Sequence, residues 1–323
     1  MIHGLQFPKS ASGRRGCSNK GGPTAWTPHP IPIIISGSKK PFESAKSVYA
    51  CPKCKGSLDN FLCPQCSVAY PVYDGIPCFI PTSSVPDKPD VRQVYDKIYS
   101  DHHDVWVDQG RSENFVSYFR ELARSHTQNR VLEIGCGEGA LLAAISAAKK
   151  SGIDPSINAL RTARSRSAAQ CAVARCEELP YASSSFDLIV TVGVMEHFED
   201  PDAAAREICR VLAESGHYIA LFQTDLSTPQ RILLKFRQYV FPTLRPIAFA
   251  RWIRKKLHNP IVQPFRKSYT IESARECIER SGLRITEVIT RSTHPSAPLA
   301  GPHVVIFVAH KLPRGPGQQY WER

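Results

Sequence analysis

From Arg130 onward, short apolar runs alternate with segments of helical period. The run that begins VLEIGCGEGA (residues 131–140) enters a glycine-rich turn, and an Ala/Leu-rich helix is predicted after it over residues 138–149. Further apolar runs follow at FDLIV and YIALF, and a helix-strand pair (270–292) precedes HVVIFVAH. Strands that alternate with helices predict an α/β domain with a mostly parallel sheet and crossover helices.

The rest of the chain divides by composition. Residues 1–47 are rich in Gly, Ser, Pro and basic residues without an apolar period, which predicts a disordered leader. Residues 48–82 hold a cysteine module, and residues 83–128 read as a linker followed by N-terminal helices. The alternating domain then covers residues 129–323, with an insertion at 224–267.

Composition narrows the class of protein. The chain has 323 residues, of which 42% are hydrophobic, and no apolar run approaches the roughly eighteen residues needed to span a bilayer. The N-terminus lacks a signal-peptide pattern, so a cytoplasmic protein is expected. Eleven cysteines in such a chain indicate metal ligands or buried thiols rather than disulfides.

Four of the cysteines stand in two C-x-x-C pairs, in the sequence CPKCKGSLDNFLCPQC. Two such turns can supply four thiolates to a closed tetrahedral zinc site, and the predicted ligands are Cys51, Cys54, Cys63 and Cys66. Four protein ligands leave no open position, so the Zn²⁺ is predicted to be structural. The alternative is a set of unpaired buried cysteines, and Cys78 is predicted to be a buried strand residue.

The run YPVYDGIPCF follows these pairs at residues 70–79. Together, the pairs and the run resemble the short zinc-ribbon proteins and domains that accompany methyltransferases. Members of that group either partner a methyltransferase or are fused to one, and the resemblance covers about thirty residues.

The glycine turn fits two ligands. Gly135, Gly137 and Ala140 satisfy the dinucleotide pattern G-x-G-x-x-G/A, so an NAD-type oxidoreductase is one interpretation. A dinucleotide places its pyrophosphate at the helix N-terminus, where Glu138 would repel it. S-adenosylmethionine has no phosphate and carries a sulfonium cation, so the flanking Glu133 and Glu138 favour this second ligand.

The later motifs carry a second resemblance. SGIDPS, CEELPYASSSFDLIV, VGVMEHFEDP and EICRVLAESGHYIALF follow the glycine turn in order over residues 129–223. Together they resemble the class I S-adenosylmethionine-dependent methyltransferases, especially the type 11 family that includes ubiquinone and menaquinone methylating enzymes. The resemblance implies a doubly wound, seven-stranded Rossmann-like sheet whose last strand is antiparallel.

The resemblance also implies a set of cofactor-binding residues. Asp154, at the end of the second strand, would hold the ribose hydroxyls, a role that a dinucleotide site would share. Arg175 and Cys176 stand where the family often has Asp-Ala, which removes the usual acceptor for the adenine amino group, and Ser215 replaces a glycine. The full predicted set is Glu133, Gly135, Gly137 and Gly139 at the methionine end, Asp154 at the ribose, Cys176 and Glu177 at the adenine, and Cys136 and Val192 beside them.

Candidate catalytic groups are few. His197 in MEHFED could act as a general base, and the alternative for it and for Glu196 is a loop-positioning or packing role. Asp187 is predicted to satisfy backbone N–H groups at a strand start, and Cys136 and Cys176 are predicted to pack as inert thiols. Methyl transfer from a sulfonium mainly needs alignment and exclusion of water, so the lack of a catalytic triad does not oppose an enzyme.

The insertion points to the substrate. Within residues 224–267, ten Lys/Arg residues interleave with aromatic ones, and the whole chain carries a net charge of +12. Such a segment can lie on an anionic membrane or lipid, grip RNA, or form a solvated helical face. A methyltransferase acting on a lipid, glycolipid or other small molecule at an O, N or C acceptor is predicted, with an RNA methyltransferase and a non-catalytic partner protein as alternatives.

Overall fold

The boundaries of the strands and helices come from a computed structural model that describes residues 48–81, 90–101, 113–126, 129–224, 267–290, 293 and 304–311. All these residues belong to one compact unit, Lys46–Arg323. Within the described ranges, the strands are β1 (Leu62–Cys63), β2 (Val68–Ala69), β3 (Val72–Tyr73), β4 (Ile76–Pro77), β5 (Arg130–Ile134), β6 (Lys149–Asp154), β7 (Gln170–Val173), β8 (Phe186–Val192), β9 (Leu212–Gln223), β10 (Leu283–Ile289) and β11 (Val304–Lys311). The α-helices are α1 (Val91–Asp101), α2 (Glu113–Arg124), α3 (Ala140–Ala144), α4 (Ile157–Ser167), α5 (Pro201–Val211) and α6 (Ile271–Arg280).

The large sheet has the strand order β10-β11-β9-β8-β5-β6-β7. β5 pairs in parallel with both β6 and β8, whereas β11 runs antiparallel to β9 and to β10. The predicted fold class, a seven-stranded, mostly parallel sheet with an antiparallel last strand, is confirmed. The order reverses between β5 and β8, so connections leave their carboxyl ends in opposite directions and open a crevice there.

Apolar side chains of the central strands pack on both faces of the sheet. In β8, Leu188 and Val190 pack into one apolar cluster, with Phe119 of α2, and Ile189 packs into a second, with Ile208 of α5. Neighbouring residues of a strand point to opposite faces. The strand is therefore buried on both sides, as expected for a parallel sheet covered by helices.

The helix after the glycine turn is shorter than predicted. The sequence predicts a helix over residues 138–149, but α3 spans only Ala140–Ala144 and Ile145 is extended. Lys149 already pairs with Arg130 in the sheet, and its N–H donates to the carbonyl of Asn129 at 2.9 Å. Lys149, which the Ala-rich composition would place in the helix, therefore belongs to β6 and pairs with β5.

The cysteine module continues into the large sheet at its β7 edge. Cys78 forms a parallel bridge with Val173, and the N–H of Phe79 donates to the carbonyl of Val173 at 2.8 Å. The ring of Tyr49 lies 5.6 Å from that of Tyr181, centroid to centroid. The module and the sheet thus share one apolar core, and Cys78, which is 2% exposed, is buried as predicted.

Two predicted segments lie outside the described residues. They are the leader at residues 1–47 and nearly all of the basic insertion, 225–266. Among the residues that the structure does describe, no helix has both the length and the apolar character required to cross a membrane.

Candidate active site and metal centre

A cavity opens at the carboxyl ends of β5, β6, β7 and β8, where the strand order reverses. Its empty volume is about 740 Å³, part of it open to solvent. The lining consists of Val91, Tyr95, Tyr99, Ile134, Gly135, Ile153, Asp154, Pro155, Ala174, Arg175, Cys176, Glu177, Gly193, Val194, His197 and Phe198. Five residues predicted from the sequence are among them: Gly135, Asp154, Cys176, Glu177 and His197.

The glycine turn needs glycine for two different reasons. Gly135 has φ +67°, and a Cβ at this position would collide with Cγ1 of Val194 across the cavity wall. Gly139 has φ +73°, and a Cβ there would lie 2.9 Å from Cα of Ala163 in α4. Gly135 therefore shapes the cavity, whereas Gly139 allows close packing of α3 against α4.

We expect Gly135→Ala to lower the free energy of unfolding by about 2–3 kcal/mol, because it adds steric overlap to left-handed strain. Gly193→Ala is the matched control: Gly193 also lines the cavity with φ +61°, but the nearest heavy atom to an added Cβ is 3.7 Å away. Strain alone predicts a loss of about 1 kcal/mol there. Urea unfolding measures both losses, and Val194→Ala should restore part of the stability of Gly135→Ala. Equal losses in the two alanine variants would contradict the collision.

Asp154 is held in place before any ligand arrives. Its side chain is 5% exposed; Oδ2 accepts from the N–H of Gly137 at 3.0 Å and Oδ1 from the N–H of Ser156 at 2.9 Å. Asp154 also lines the cavity, and a carboxylate oxygen can accept a hydrogen bond from a ligand hydroxyl. The position fits a ribose.

The wall at the end of β7 is formed by a network of charges. Nη2 of Arg175 donates to Oε2 of Glu199 at 2.7 Å and to Oε1 of Glu177 at 3.3 Å. Oε1 of Glu177 also accepts from the N–H groups of Glu199 (2.9 Å) and Asp200 (3.4 Å). Glu177 therefore ties the β7 end to the loop after β8. Beside it, burial raises the pKa of the Cys176 thiol well above its usual value, so Cys176 packs as a neutral thiol.

The 3₁₀ turn Met195–His197 brings His197 to the cavity. Nε2 of His197 lies 3.9 Å from Oε1 of Glu196, whose side chain is 2% exposed. The carbonyl of Glu196 accepts from the N–H of Lys267 at 2.7 Å, which places the end of the 224–267 insertion beside this turn. An imidazole at the wall of an apolar cavity can act as a proton acceptor.

The cavity also contains residues that the sequence did not single out. Tyr95 and Tyr99 of α1 form part of its wall, and burial together with the carboxylates of Asp154 and Glu196 raises the pKa of Tyr95. The four-residue spacing of the tyrosines places them on one face of a helix. This spacing is visible in the sequence and indicates a shared helix face, but it does not indicate what that face contacts.

The remaining predicted cofactor residues lie behind the cavity wall. Glu133, Cys136 and Val192 are buried at 0%, 2% and 3% exposure, and they do not line the cavity. Gly137 contributes its N–H to Asp154, and Gly139 precedes α3. Their contact with a cofactor stays a prediction.

Asp187 lies at the start of β8, at the opposite end of that strand from the cavity. Its Oδ2 accepts from the N–H groups of Asn129 and Arg130 at 3.1 and 2.9 Å, and its Oδ1 accepts from Nη2 of Arg130 at 2.7 Å. The predicted structural role of Asp187 is confirmed.

The four cysteines of the two C-x-x-C pairs converge. All four Sγ atoms lie within 4.8 Å of one another, with Cys51 and Cys66 at 3.9 Å and Cys54 and Cys63 at 3.4 Å. Four thiolates around Zn²⁺ at about 2.3 Å would be spaced by roughly 3.8 Å. The cluster fits a closed tetrahedral ion, and the identity of the metal stays a prediction.

Comparisons with known proteins agree with the geometry. The family described as a methyltransferase domain matches residues 132–220. A probable S-adenosylmethionine-dependent methyltransferase of Mycobacterium tuberculosis is 37% identical over 117 residues, which are 35% of this chain and 40% of that protein. A ubiquinone biosynthesis O-methyltransferase of Parvibaculum lavamentivorans is 27% identical over 201 residues, 56% of this chain and 73% of that protein. A probable tRNA methyltransferase 9B of Mus musculus is 32% identical over 121 residues, 32% of this chain and 26% of that protein.

The chain therefore spans about two-fifths of the mycobacterial relative. The matched residues 132–220 contain most of β5, all of β6 to β8 and most of β9, and so contribute most of the cavity wall. Residues 132–220 of this chain therefore match the methyltransferase-domain family, and part of the chain is similar to an S-adenosylmethionine-dependent methyltransferase.

Proposed function

We propose that the whole chain is an S-adenosylmethionine-dependent methyltransferase whose acceptor is a lipid, a glycolipid or another small molecule. The observation that carries this proposal is Asp154, a buried carboxylate oriented by Gly137 and Ser156 in the cavity at the switch point of the sheet. Asp154 would hold the ribose, and the backbone of the glycine turn would hold the methionine end.

When bound, S-adenosylmethionine supplies a methyl group on a sulfonium, which is an excellent leaving group. The chain's own residues then have to orient the acceptor and exclude water. Val194 and Phe198 provide apolar wall on the β8 side, and Tyr95 and Tyr99 provide it from α1. Arg175 pairs with Glu177 on the same wall, so the charged lining residues Asp154, Arg175 and Glu177 leave a net negative charge, which is compatible with a cationic ligand.

We assign His197 as the base for an acceptor that loses a proton. Its imidazole lines the cavity, with Nε2 3.9 Å from Oε1 of Glu196, and an imidazole can accept a proton from an acceptor group. The expected result is a rate that falls in acid, on a limb governed by the imidazole, and a His197→Gln variant that lacks this limb while binding the cofactor normally. A pH–rate profile of both proteins measures this, and an unchanged limb in the variant removes His197 from the mechanism.

The proposal is tested by incubating the full chain with methyl-labelled S-adenosylmethionine and a cell extract separated into lipid, RNA, protein and small-molecule pools. Label in the lipid or small-molecule pool supports the proposed substrate class. Label in RNA supports the alternative suggested by the tRNA methyltransferase relative and the basic insertion. If NADH binds and S-adenosylmethionine does not, the chain is an oxidoreductase instead, and binding without label favours the non-catalytic partner protein.

A further inference from the structure

Helix α1 places one face along the cofactor cavity. Val91, Tyr95 and Tyr99 all line the cavity, and their spacing of four residues puts them in a row on one side of the helix. A Cβ on Gly137 would lie 2.5 Å from the hydroxyl of Tyr99, so the helix rests directly on the glycine turn. The wall formed by α1 precedes the matched methyltransferase segment in the chain.

Asp96, on the same helix, joins α1 to the start of α4. Its Oδ1 accepts from Oγ of Ser156 at 2.7 Å and from the N–H of Asn158 at 3.2 Å. In return, Nδ2 of Asn158 donates to the carbonyl of Asp96 at 3.3 Å. A carboxylate at a helix N-terminus is also stabilised by the helix dipole.

The same contact leads to the proposed ribose carboxylate. Ser156 is fully buried and caps α4 through its Oγ, which accepts from the N–H of Ala159 at 3.1 Å. Its own N–H donates to Oδ1 of Asp154, and Oδ2 of Asp154 accepts from the N–H of Gly137. A continuous hydrogen-bonded path thus runs from α1 through Asp96, Ser156 and Asp154 to the glycine turn.

We propose that Asp96 is a positioning residue that latches α1 over the cavity, and that this latch slows release of the cofactor. The inference rests on the proposed function, because it takes the cavity to be the S-adenosylmethionine site. Asp96 does not line the cavity. It acts by holding Tyr95 and Tyr99 in the wall and by fixing Ser156 next to Asp154.

The test compares Asp96→Ala with Asp101→Ala in the full chain. Asp101 is the exposed last residue of α1, so its replacement removes the same charge from the same helix without touching the latch. Surface plasmon resonance with S-adenosylhomocysteine should show a dissociation rate about tenfold higher for Asp96→Ala, as expected for one lost charge-assisted hydrogen-bond set. The Asp101→Ala rate should match the wild type.

A second variant distinguishes a latch from a general loss of stability. Asp96→Asn keeps a side-chain oxygen that can still accept from Oγ of Ser156 and from the N–H of Asn158, so its dissociation rate should lie between those of the wild type and Asp96→Ala. Hydrogen exchange of the α1 amides in the ligand-free chain should also accelerate in Asp96→Ala. An unchanged dissociation rate in Asp96→Ala would overturn the latch, even if the exchange of α1 accelerates.

The proposed function and the Asp96 latch can be disproved independently of each other. A wild-type chain that does not bind S-adenosylhomocysteine removes the proposed function, while the exchange rates of α1 still decide whether Asp96 holds the helix. A wild-type chain that binds normally, with equal dissociation rates in Asp96→Ala and Asp101→Ala, overturns only the latch.

Discussion

Cys63→Ser is expected to abolish metal binding and to lower the free energy of unfolding by about 4 kcal/mol or more. Cys63 is fully buried, its Sγ lies 3.4 Å from that of Cys54, and it accepts from the N–H of Cys66 at 3.4 Å. Structural zinc sites contribute roughly 10–16 kcal/mol of binding free energy to folding. Loss of one of the four ligands therefore removes a large part of this binding free energy.

The loss should extend beyond the cysteine module. Cys51, Cys63, Tyr70 and Phe79 belong to the same apolar cluster as the core of the large sheet. The residue directly after the first C-x-x-C pair is also tied to α5, because Nζ of Lys55 donates to Oε2 of Glu207 at 2.7 Å. A module that unfolds would uncover the β7 edge, so we expect the unfolding temperature of the whole chain to fall by roughly 10 °C or more.

Atomic mass spectrometry of the purified chain and thermal unfolding measure the two effects. Cys277→Ser is the matched control, since Cys277 is a buried thiol outside the cluster whose Sγ donates to the carbonyl of Pro201 at 3.7 Å. It should retain one metal ion per chain. A wild-type chain purified without metal, or a Cys63→Ser variant that keeps its metal, would contradict the proposed centre.

The fold could be predicted largely from local pattern. Apolar runs with short polar turns indicate strands in a covered parallel sheet, and the two C-x-x-C pairs indicate the cluster. The length of α3 could not be predicted in this way, because the pairing of Lys149 with Arg130 depends on the position of β5 rather than on local propensity.

The residues that line the cavity could be predicted only in part, because some of them come together through the fold rather than through local sequence. Gly135 follows β5 directly and Asp154 is the last residue of β6, and parallel strands bring their carboxyl ends to one edge of a sheet. Tyr95 and Tyr99 come from a helix before that sheet, and no local signal states which cavity a helix face will cover. The pairing of Arg175 with Glu199 joins two loops that lie far apart in the sequence, so it becomes visible only in three dimensions.

Asp154→Asn is expected to weaken the binding of S-adenosylhomocysteine by more than about 100-fold. Two hydrogen bonds from ribose hydroxyls to a buried carboxylate contribute roughly 1.5 kcal/mol or more each. The amide that replaces the carboxylate is neutral and offers one acceptor oxygen, which the backbone N–H of Gly137 or Ser156 will occupy. Isothermal titration calorimetry measures the dissociation constants. Asp202→Asn, on α5 outside the cavity lining, should leave binding unchanged.

A second part of this experiment changes the ligand instead of the protein. For the wild-type chain, the 2′-deoxy and 3′-deoxy analogues of S-adenosylhomocysteine should each bind about tenfold more weakly than the parent compound. For Asp154→Asn they should bind almost as well as the parent, because the carboxylate that recognises the hydroxyls is gone. If the substitution instead disturbed the fold, it would weaken all three ligands equally and preserve their ratios. If the ratios in Asp154→Asn equal those of the wild type, Asp154 does not hold the ribose, and the carboxylate serves only to brace the glycine turn.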